Sequence, residues 1–540
     1  MSERKKCELT DYQKQLRQYH KKSFRHVLVL EADIPYQDRC RIFHYADLER
    51  KAGNELVGIM KNNLEQLTRT KKYKYLIREY ARCKAAEDEE GLKAVAAELK
   101  TLQQAYNVTF DFCRKAMKPL NSKYGIDAIF GLTKSEDVWR SVEKCLYSGG
   151  RDIRFSKCGD LPCIRAKQIN RGIIIKATNS SLTFSFQGLT FGVLVKDKFE
   201  SDEISAVLSY MNAPESKDKA AVSTMNDSGE IISTYRPCYA SLSCSAIRGR
   251  MRVFIHITIE GRAITKYNRH GGRRHNLGHG VVGCDIGTQT IAYTSDTEVG
   301  LKNLAERGSS VSENERKERL LLRTMDRSKR ATNPDNNNAD GTIRKGPKKW
   351  KFSHRYIRLK AKHAELCRVN AINRHLAINE DINHLRSLGD VFVTEPKNAK
   401  RLQKRSTKTG ANKNGRCTRK KRFGKSVRNR CPGYFQAQAE QKFACYIEVP
   451  NNYRASQYDH TSDSYIRKEL SQRMYSLSDG TVVQRDWYSS YLLYSIDTAD
   501  MTINKTKCIN GFSDKYAKEC ALISWIIENK IRVLNSGVRF

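Results

Sequence analysis

No proline interrupts the chain between Pro35 and Pro119. This constrains the fold more than any other single feature, because proline removes a backbone donor and clashes with the preceding helical turn. Within that stretch Leu56, Ile59, Met60, Leu64 and Leu67 recur at helical spacing, and Leu92, Val95, Leu99, Leu102 and Tyr106 form a second stripe. The two stripes read as antiparallel helices that bury each other, leaving the lysines and arginines of their outer faces for phosphate.

Strand-like segments lie on both sides of this helical block. RHVLVLE (25–31) precedes it; GIIIK (172–176), LTFSF (182–186), TFGVLV (190–195) and the alternation of Met251, Val253, Ile255, Ile257 and Ile259 follow it. The pattern predicts a β-domain split by a helical insertion, the first strand rejoining the later ones through Val27 and Val29. KYNRHGGRRHNLGHG (266–280) reads as a basic linker at a domain boundary. Beyond it come a short apolar strand and a basic helical region, roughly 311–388, broken by the polar loop NPDNNNADG. A chain of 540 residues exceeds what one core of about 250 to 300 residues holds, so several domains are expected.

A formal net charge of +39 calls for a polyanion, and nucleic acid leads. A membrane surface is disfavoured: no run of some 18 apolar residues occurs, and MSERKKCELT lacks the apolar centre of a signal peptide. A cytoplasmic location is expected. The 16 cysteines are scattered without a CxxC pair, which favours reduced thiols; Cys158 and Cys163 are at most half a metal site. Residues 400–430 hold 14 lysines and arginines and no acid. This tract is either a solvated loop or a phosphate contact, and Lys420, Lys421 and Arg422 are its candidate nucleic-acid-binding residues.

Three carboxylates stand where chemistry could use them. In GVVGCDIGTQTIAYTSD (280–296) Asp285 sits inside an apolar strand, where an unpaired carboxylate is costly unless a cation compensates it. Gly287 would allow a tight turn and close approach of a ligand. In DVFVTEPKNAK (390–400) a strand ends at Glu395 and Pro396 stops it. In SDGTVVQRDWYSSYLLYSI (478–496) Asp486 precedes a helix whose Trp487, Tyr491 and Tyr494 face a sheet. Taken singly, these read equally as a turn cap, a surface strand end and a helix N-cap. Together, in a strongly basic chain, they suit a site in which two Mg²⁺ ions clamp a scissile phosphate.

The order and content of these motifs resemble the RuvC domain of TnpB-type transposon nucleases and compact type V CRISPR effectors. Gly283, Asp285 and Gly287 match the first motif, Glu395 the second, and Arg485 with Asp486 the third; RTMDRSKRATN (323–333) and YFQAQAEQKFACYIEVPNNYRASQ (434–457) resemble the connecting blocks. The resemblance covers roughly residues 280–497. It implies a multidomain α/β plus α+β protein, bilobed: a wedge-type β-barrel with a helical recognition insertion, then a RuvC α/β domain of ribonuclease H-like fold. On that layout, 1–34 and 151–265 form the wedge, 35–150 the recognition domain, 266–280 the linker, 281–457 the first part of RuvC, 458–480 a degenerate zinc-ribbon-like insertion, and 481–540 the last motif with C-terminal helices.

The resemblance further implies an RNA-guided DNA endonuclease. It would bind a guide RNA, read a short flanking motif on double-stranded DNA and cut through Asp285, Glu395 and Asp486, which hold two Mg²⁺ ions, with Mn²⁺ as an alternative, while Arg485 contacts the scissile-strand phosphate. A catalytically silent RNA-guided repressor, or an RNA-independent transposase or junction resolvase, are the rival readings. Monomer and homodimer both stay open, as does a CRISPR array against a transposon end as source of the guide. The sequence departs from the family at the ribbon: the four zinc positions are Asp459, Ser462, Ser476 and Asp479. They offer no thiolate and His460 cannot replace them, so no zinc is expected there, and packing of Tyr453, Tyr465 and Tyr475 is expected to hold the hairpin. It also departs after Asp486, where Tyr488, Ser489 and Ser490 replace the family's Asn and small pair.

Overall fold

The computed structural model of the protein describes residues 11–147, 150, 152–178, 180–213, 223–225, 229–306, 311–403, 424–450, 452–455, 457–467, 469 and 472–539. The chain forms two compact units, residues 1–264 and 265–540.

In the first unit, α1 (Asp11–Lys22) leads into β1 (Arg25–Asp33), and the proline-free run then forms α2 (Tyr36–Arg69), α3 (Lys71–Ala85) and α4 (Glu89–Ala105). Short polar side chains punctuate it: Thr70 accepts from the Tyr73 N–H at 3.2 Å and Asp88 from the Gly91 N–H at 2.9 Å, starting α3 and α4. α5 (Phe110–Tyr124) and α6 (Ala128–Tyr147) follow, and Pro119 lies inside α5. Leu56, Met60, Leu64 and Leu67 are buried as the spacing predicts, whereas Ile59 is 37% exposed. In the second stripe only Leu99 is buried, because α4 packs chiefly on α3 and leaves much of its surface to solvent.

The β part of this unit comprises β1, β2 (Ile164–Arg165), β3 (Ile173–Ala177), β4 (Leu182–Phe186), β5 (Leu189–Leu194), β6 (Thr224–Met225), β7 (Ile231–Ile247) and β8 (Arg250–Gly261), with α7 (Lys198–Asn212) between β5 and β6. Its order is β2-β7-β8-β1-β5-β4-β3, with β6 on β7. The first strand does pair with a later one, Val27 opposite Thr258 and Val29 opposite His256, although both valines point outward and are about half exposed. The sheet curls so that β3 approaches β7, but among the described residues no ladder closes it, and a half-barrel replaces the expected barrel. β7 bends where its register with β8 shifts, between Ser233 and Tyr239; Tyr235 has φ of 52° there and Pro237 withholds a donor.

The second unit is built on β9 (Val281–Ile286), β10 (Thr290–Thr294), β11 (Val299–Asn303), β12 (Val391–Thr394) and β13 (Cys445–Glu448). Their order is β11-β10-β9-β12-β13: β9, β10 and β11 run antiparallel, while β12 and β13 run parallel to β9. α8 (Val311–Thr332) and α9 (His354–Leu388) follow β11; α10 (Ala399–Leu402), α11 (Gly424–Arg430) and α12 (Pro432–Lys442) lie between β12 and β13; α13 (Arg485–Tyr494) and α14 (Lys505–Glu528) come last. Strand alternation sorts β9 into two faces. Val282, Cys284 and Ile286 pack with Ile378, Ile382 and Leu385 of α9 and Phe435 and Ala439 of α12. Val281, Gly283 and Asp285 therefore face α13. Among the described residues no helix is long and apolar enough to cross a membrane, and the cysteines are free thiols.

Candidate active site

Register brings the first two carboxylates together. The parallel β9–β12 ladder ends at the Cys284–Thr394 pair, and Asp285 and Glu395 are the residues that follow on the two segments, near enough for the Asp285 charge to bear on Glu395. α13 lies on the Asp285 face of β9 because Gly283 lets it: a Cβ there would come within 2.2 Å of the Tyr494 nitrogen and 2.3 Å of the Ser490 carbonyl oxygen. Ser490 Oγ then lies 2.9 Å from Thr294 Oγ1 on the neighbouring strand. Gly287 has a related role, since a Cβ would meet the Thr290 carbonyl oxygen at 2.8 Å.

Asp486 is not the N-cap of α13. Gln484 takes that place, its side chain accepting from the Trp487 N–H at 2.7 Å, and Asp486 in the first turn is left for the site. The helix is buried all round from Trp487 to Tyr494, so Trp487, Tyr491 and Tyr494 are part of an enclosed element rather than an apolar stripe. Tyr488 is fully buried, with its hydroxyl 2.8 Å from His460 Nδ1. The departures from the family pattern are thus accommodated by hydrogen bonds to the neighbouring hairpin and strand.

Electrostatics couple the three acids. Burial, and next the charge of Asp285, push the Glu395 carboxyl above its ordinary range; Lys397 and Arg485 oppose this. Asp486 is pushed up by the same two causes, against Arg473, Arg485 and Lys397. Lys397 Nζ donates to Asp285 Oδ1 at 2.5 Å and also to the Ile286 carbonyl. Burial lowers the affinity of that ammonium for its proton, but the charges of Asp285, Glu395 and Asp486 outweigh this and raise it. Arg473 Nη1 lies 3.4 Å from Asp486 Oδ1. Sequence reasoning missed Lys397 and Arg473. The first was legible as a cation two residues past Glu395; the second, on the segment opposite α13, carried no signal.

The donor set is all carboxylate oxygen, which suits hard divalent cations. The acids do not close on one point: no set of one oxygen from each lies within 4.8 Å of one another, a spacing that the donor atoms of Glu318, His363 and Cys367 do meet. An open cavity of about 480 Å³ adjoins the site, lined by Pro396, Lys397, Asn398, Ala399, Gly433, Gln436 and Glu448. Lys420, Lys421 and Arg422 lie outside the described residues.

The finger-like segment is organised around Asp459. Its carboxylate accepts from the backbone and hydroxyl of Thr461 (3.0 and 2.7 Å) and of Ser478 (2.9 and 2.8 Å), and Ser478 Oγ, its proton given to Asp459, lies 3.0 Å from Ser462 Oγ. Asp479 caps its own turn through Thr481. Tyr453 and Tyr475 are buried as expected, but Tyr465 is 53% exposed. Its place in holding the hairpin is taken by the Asp459 hydrogen bonds, which needed no further apolar residue.

No family profile and no curated protein matches the chain. Solved structures do. A Cas12f1–sgRNA–target DNA complex is 9% identical with a TM-score of 0.39, covering 87% of this chain and 98% of that one. A CRISPR–Cas12f ternary complex is 12% identical with a TM-score of 0.25, covering 91% and 88%. Alicyclobacillus acidoterrestris C2c1 with single-guide RNA is 10% identical with a TM-score of 0.25, covering 82% and 69%. These structural neighbours are type V CRISPR effectors, the group that the sequence motifs resemble. At such identities no residue role passes from them to this chain.

Proposed function

We propose that the protein is an RNA-guided DNA endonuclease and that residues 281–540 form its RuvC nuclease, with 458–480 as a finger-like insertion lacking a zinc ligand set. One observation carries this: Asp285 and Glu395 directly follow the last paired residues of two parallel strands, and the charge of Asp285 bears both on Glu395 and on Asp486 in the first turn of α13. The strand order, with three antiparallel strands followed by two parallel ones, supports a ribonuclease H-like fold.

Asp285, Glu395 and Asp486 are the residues that would hold two Mg²⁺ ions. When bound, the ions supply a hydroxide nucleophile and stabilise the leaving 3′ oxygen. The chain's own contribution is to hold like charges together at a cost that a divalent cation repays. Asp285, whose charge raises both other carboxyls, would be the central member of that set. Arg485, whose charge is felt by Glu395 and Asp486, would orient the scissile phosphate. Lys397 balances the charge of the acids.

The net charge of +39 supports a guide RNA and target duplex held along their backbones, with residues 1–265 as wedge and helical recognition region. The test is cleavage of guide-matched DNA in Mg²⁺, together with sequencing of RNA that copurifies. Binding without cutting would favour a silent repressor; cutting without a discrete RNA, a transposase or resolvase.

A further inference from the structure

We propose that the α8–α9 hairpin holds a second, transition-metal site of the Zn²⁺ class, formed by Glu318, His363 and Cys367. His363 and Cys367 are four residues apart on α9 and so share a face; Glu318 meets them from α8. His363 Nε2 is 3.6 Å from Glu318 Oε1 and 3.6 Å from Cys367 Sγ. The first separation is too long for a hydrogen bond. Both fit the edges of a metal tetrahedron: bonds of about 2.0 to 2.1 Å to nitrogen or oxygen and about 2.3 Å to sulfur separate neighbouring donors by roughly 3.3 to 3.6 Å. Among the described residues this is the group of His, Cys, Asp or Glu whose donor atoms all lie within 4.8 Å.

The surroundings are those of a ligand set. Arg428 of α11 holds the Glu318 carboxylate, 3.1 Å from Oε2 and 3.3 Å from Oε1, fixing its orientation as outer-sphere partners do. Mixed nitrogen, sulfur and oxygen donors select Zn²⁺ or Co²⁺ over Mg²⁺ and Ca²⁺. Three protein donors leave a fourth position for water, and Cys367 is exposed, which makes the site exchangeable. The bound ion would pin α8 to α9 and, through Arg428, to α11. The proposal is independent of the nuclease reading.

The experiment is Co²⁺ titration of the full chain, read by absorption. One equivalent should give a near-ultraviolet thiolate-to-cobalt band with tetrahedral visible bands, all displaced by Zn²⁺. Cys367→Ser and His363→Ala should lose the near-ultraviolet band, Glu318→Gln should keep it with at least tenfold weaker affinity, and Asp285→Ala should keep it unchanged, since that site has no sulfur. Zn²⁺ should also shield Cys367 of the unmodified protein from alkylation, read by mass spectrometry, which tests the site without any substitution. Absence of the band, its persistence in Cys367→Ser, or alkylation of Cys367 unaffected by Zn²⁺ overturns the proposal.

Discussion

Asp459 and Asp486 lie 27 residues apart in the same unit, both turned inward, yet their protonation is biased in opposite directions. Burial alone would raise both. At Asp459 hydrogen bonds from Thr461 and Ser478 outweigh it and the carboxyl is held below its ordinary range; at Asp486 burial is joined by the charge of Asp285 and the carboxyl is raised. One acid is satisfied and serves architecture. The other meets the like charge of Asp285, which Arg473, Arg485 and Lys397 only partly offset. The hydrogen bonds and charges around each carboxylate, rather than depth alone, set the direction of its shift.

The largest expected effect falls on the group of mutually repelling acids. Asp285→Ala should lower Mg²⁺-dependent cleavage by at least about 10³-fold, on the scale of losing a main electrostatic stabiliser of the transition state, with guide-directed DNA binding within about twofold. Glu395→Ala and Asp486→Ala should behave alike, and combinations should be little worse because the three act as a unit. Mg²⁺ should raise the Tm of the unmodified protein but not of Asp285→Ala. Comparable cutting by Asp285→Ala would show that the coupling of these acids is incidental.

On the satisfied side, Asp459→Ala should destabilise the second unit by roughly 2 to 4 kcal/mol, since it strands the donors of Thr461 and Ser478, measured by denaturant unfolding. A folded-state value below the unfolded one means that the Asp459 contribution is present at neutral pH and is lost as pH falls through its lowered value. An unchanged midpoint would show that aromatic packing, not the carboxylate, holds the hairpin.

Glu519 sharpens the rule as an intermediate case. It is 2% exposed and accepts one backbone donor, from Gln484 at 2.9 Å, while its Oε2 has no partner among the described residues. Burial outweighs that single bond and pushes it up to about 8. Its native form keeps a proton that the unfolded chain releases, so stability falls as pH rises from about 4.5 to about 8, by at most roughly 1.4 kcal/mol per unit, and then levels. Glu519→Gln should remove that fall and be the more stable protein above pH 8, read from thermal unfolding across pH; parallel profiles would refute this.

The smallest effect is expected in the basic tract. Replacing Lys420, Lys421 and Arg422 by alanine should weaken nucleic-acid binding at every sequence and flatten its log–log salt dependence by roughly 0.7 to 0.9 per lost contact. An unchanged slope returns the tract to a solvated loop.

Much of this was legible in the chain. The helical insertion, the alternating strand from Met251 to Ile259 and the strand-borne Asp285 and Glu395 each carried their own periodicity. The motif order was enough to suggest a nuclease. What local pattern could not supply was partnership. Gln484 takes the capping role that the sequence also offered to Asp486, and Asp459 gathers its hydrogen bonds from Thr461 and from Ser478, 19 residues away.

By itself the sequence determined the main helical block, the alternating strands, the excess positive charge and three acids worth placing, because spacing and composition are properties of consecutive residues. Only the tertiary structure decided that β9 and β12 share a register, that Gly283 admits α13, that Lys397 and Arg473 enter the site, and that Glu318 faces His363 and Cys367. Those are contacts between residues far apart in the chain. Their energies depend on burial and on neighbouring charge, which exist only once the elements have packed.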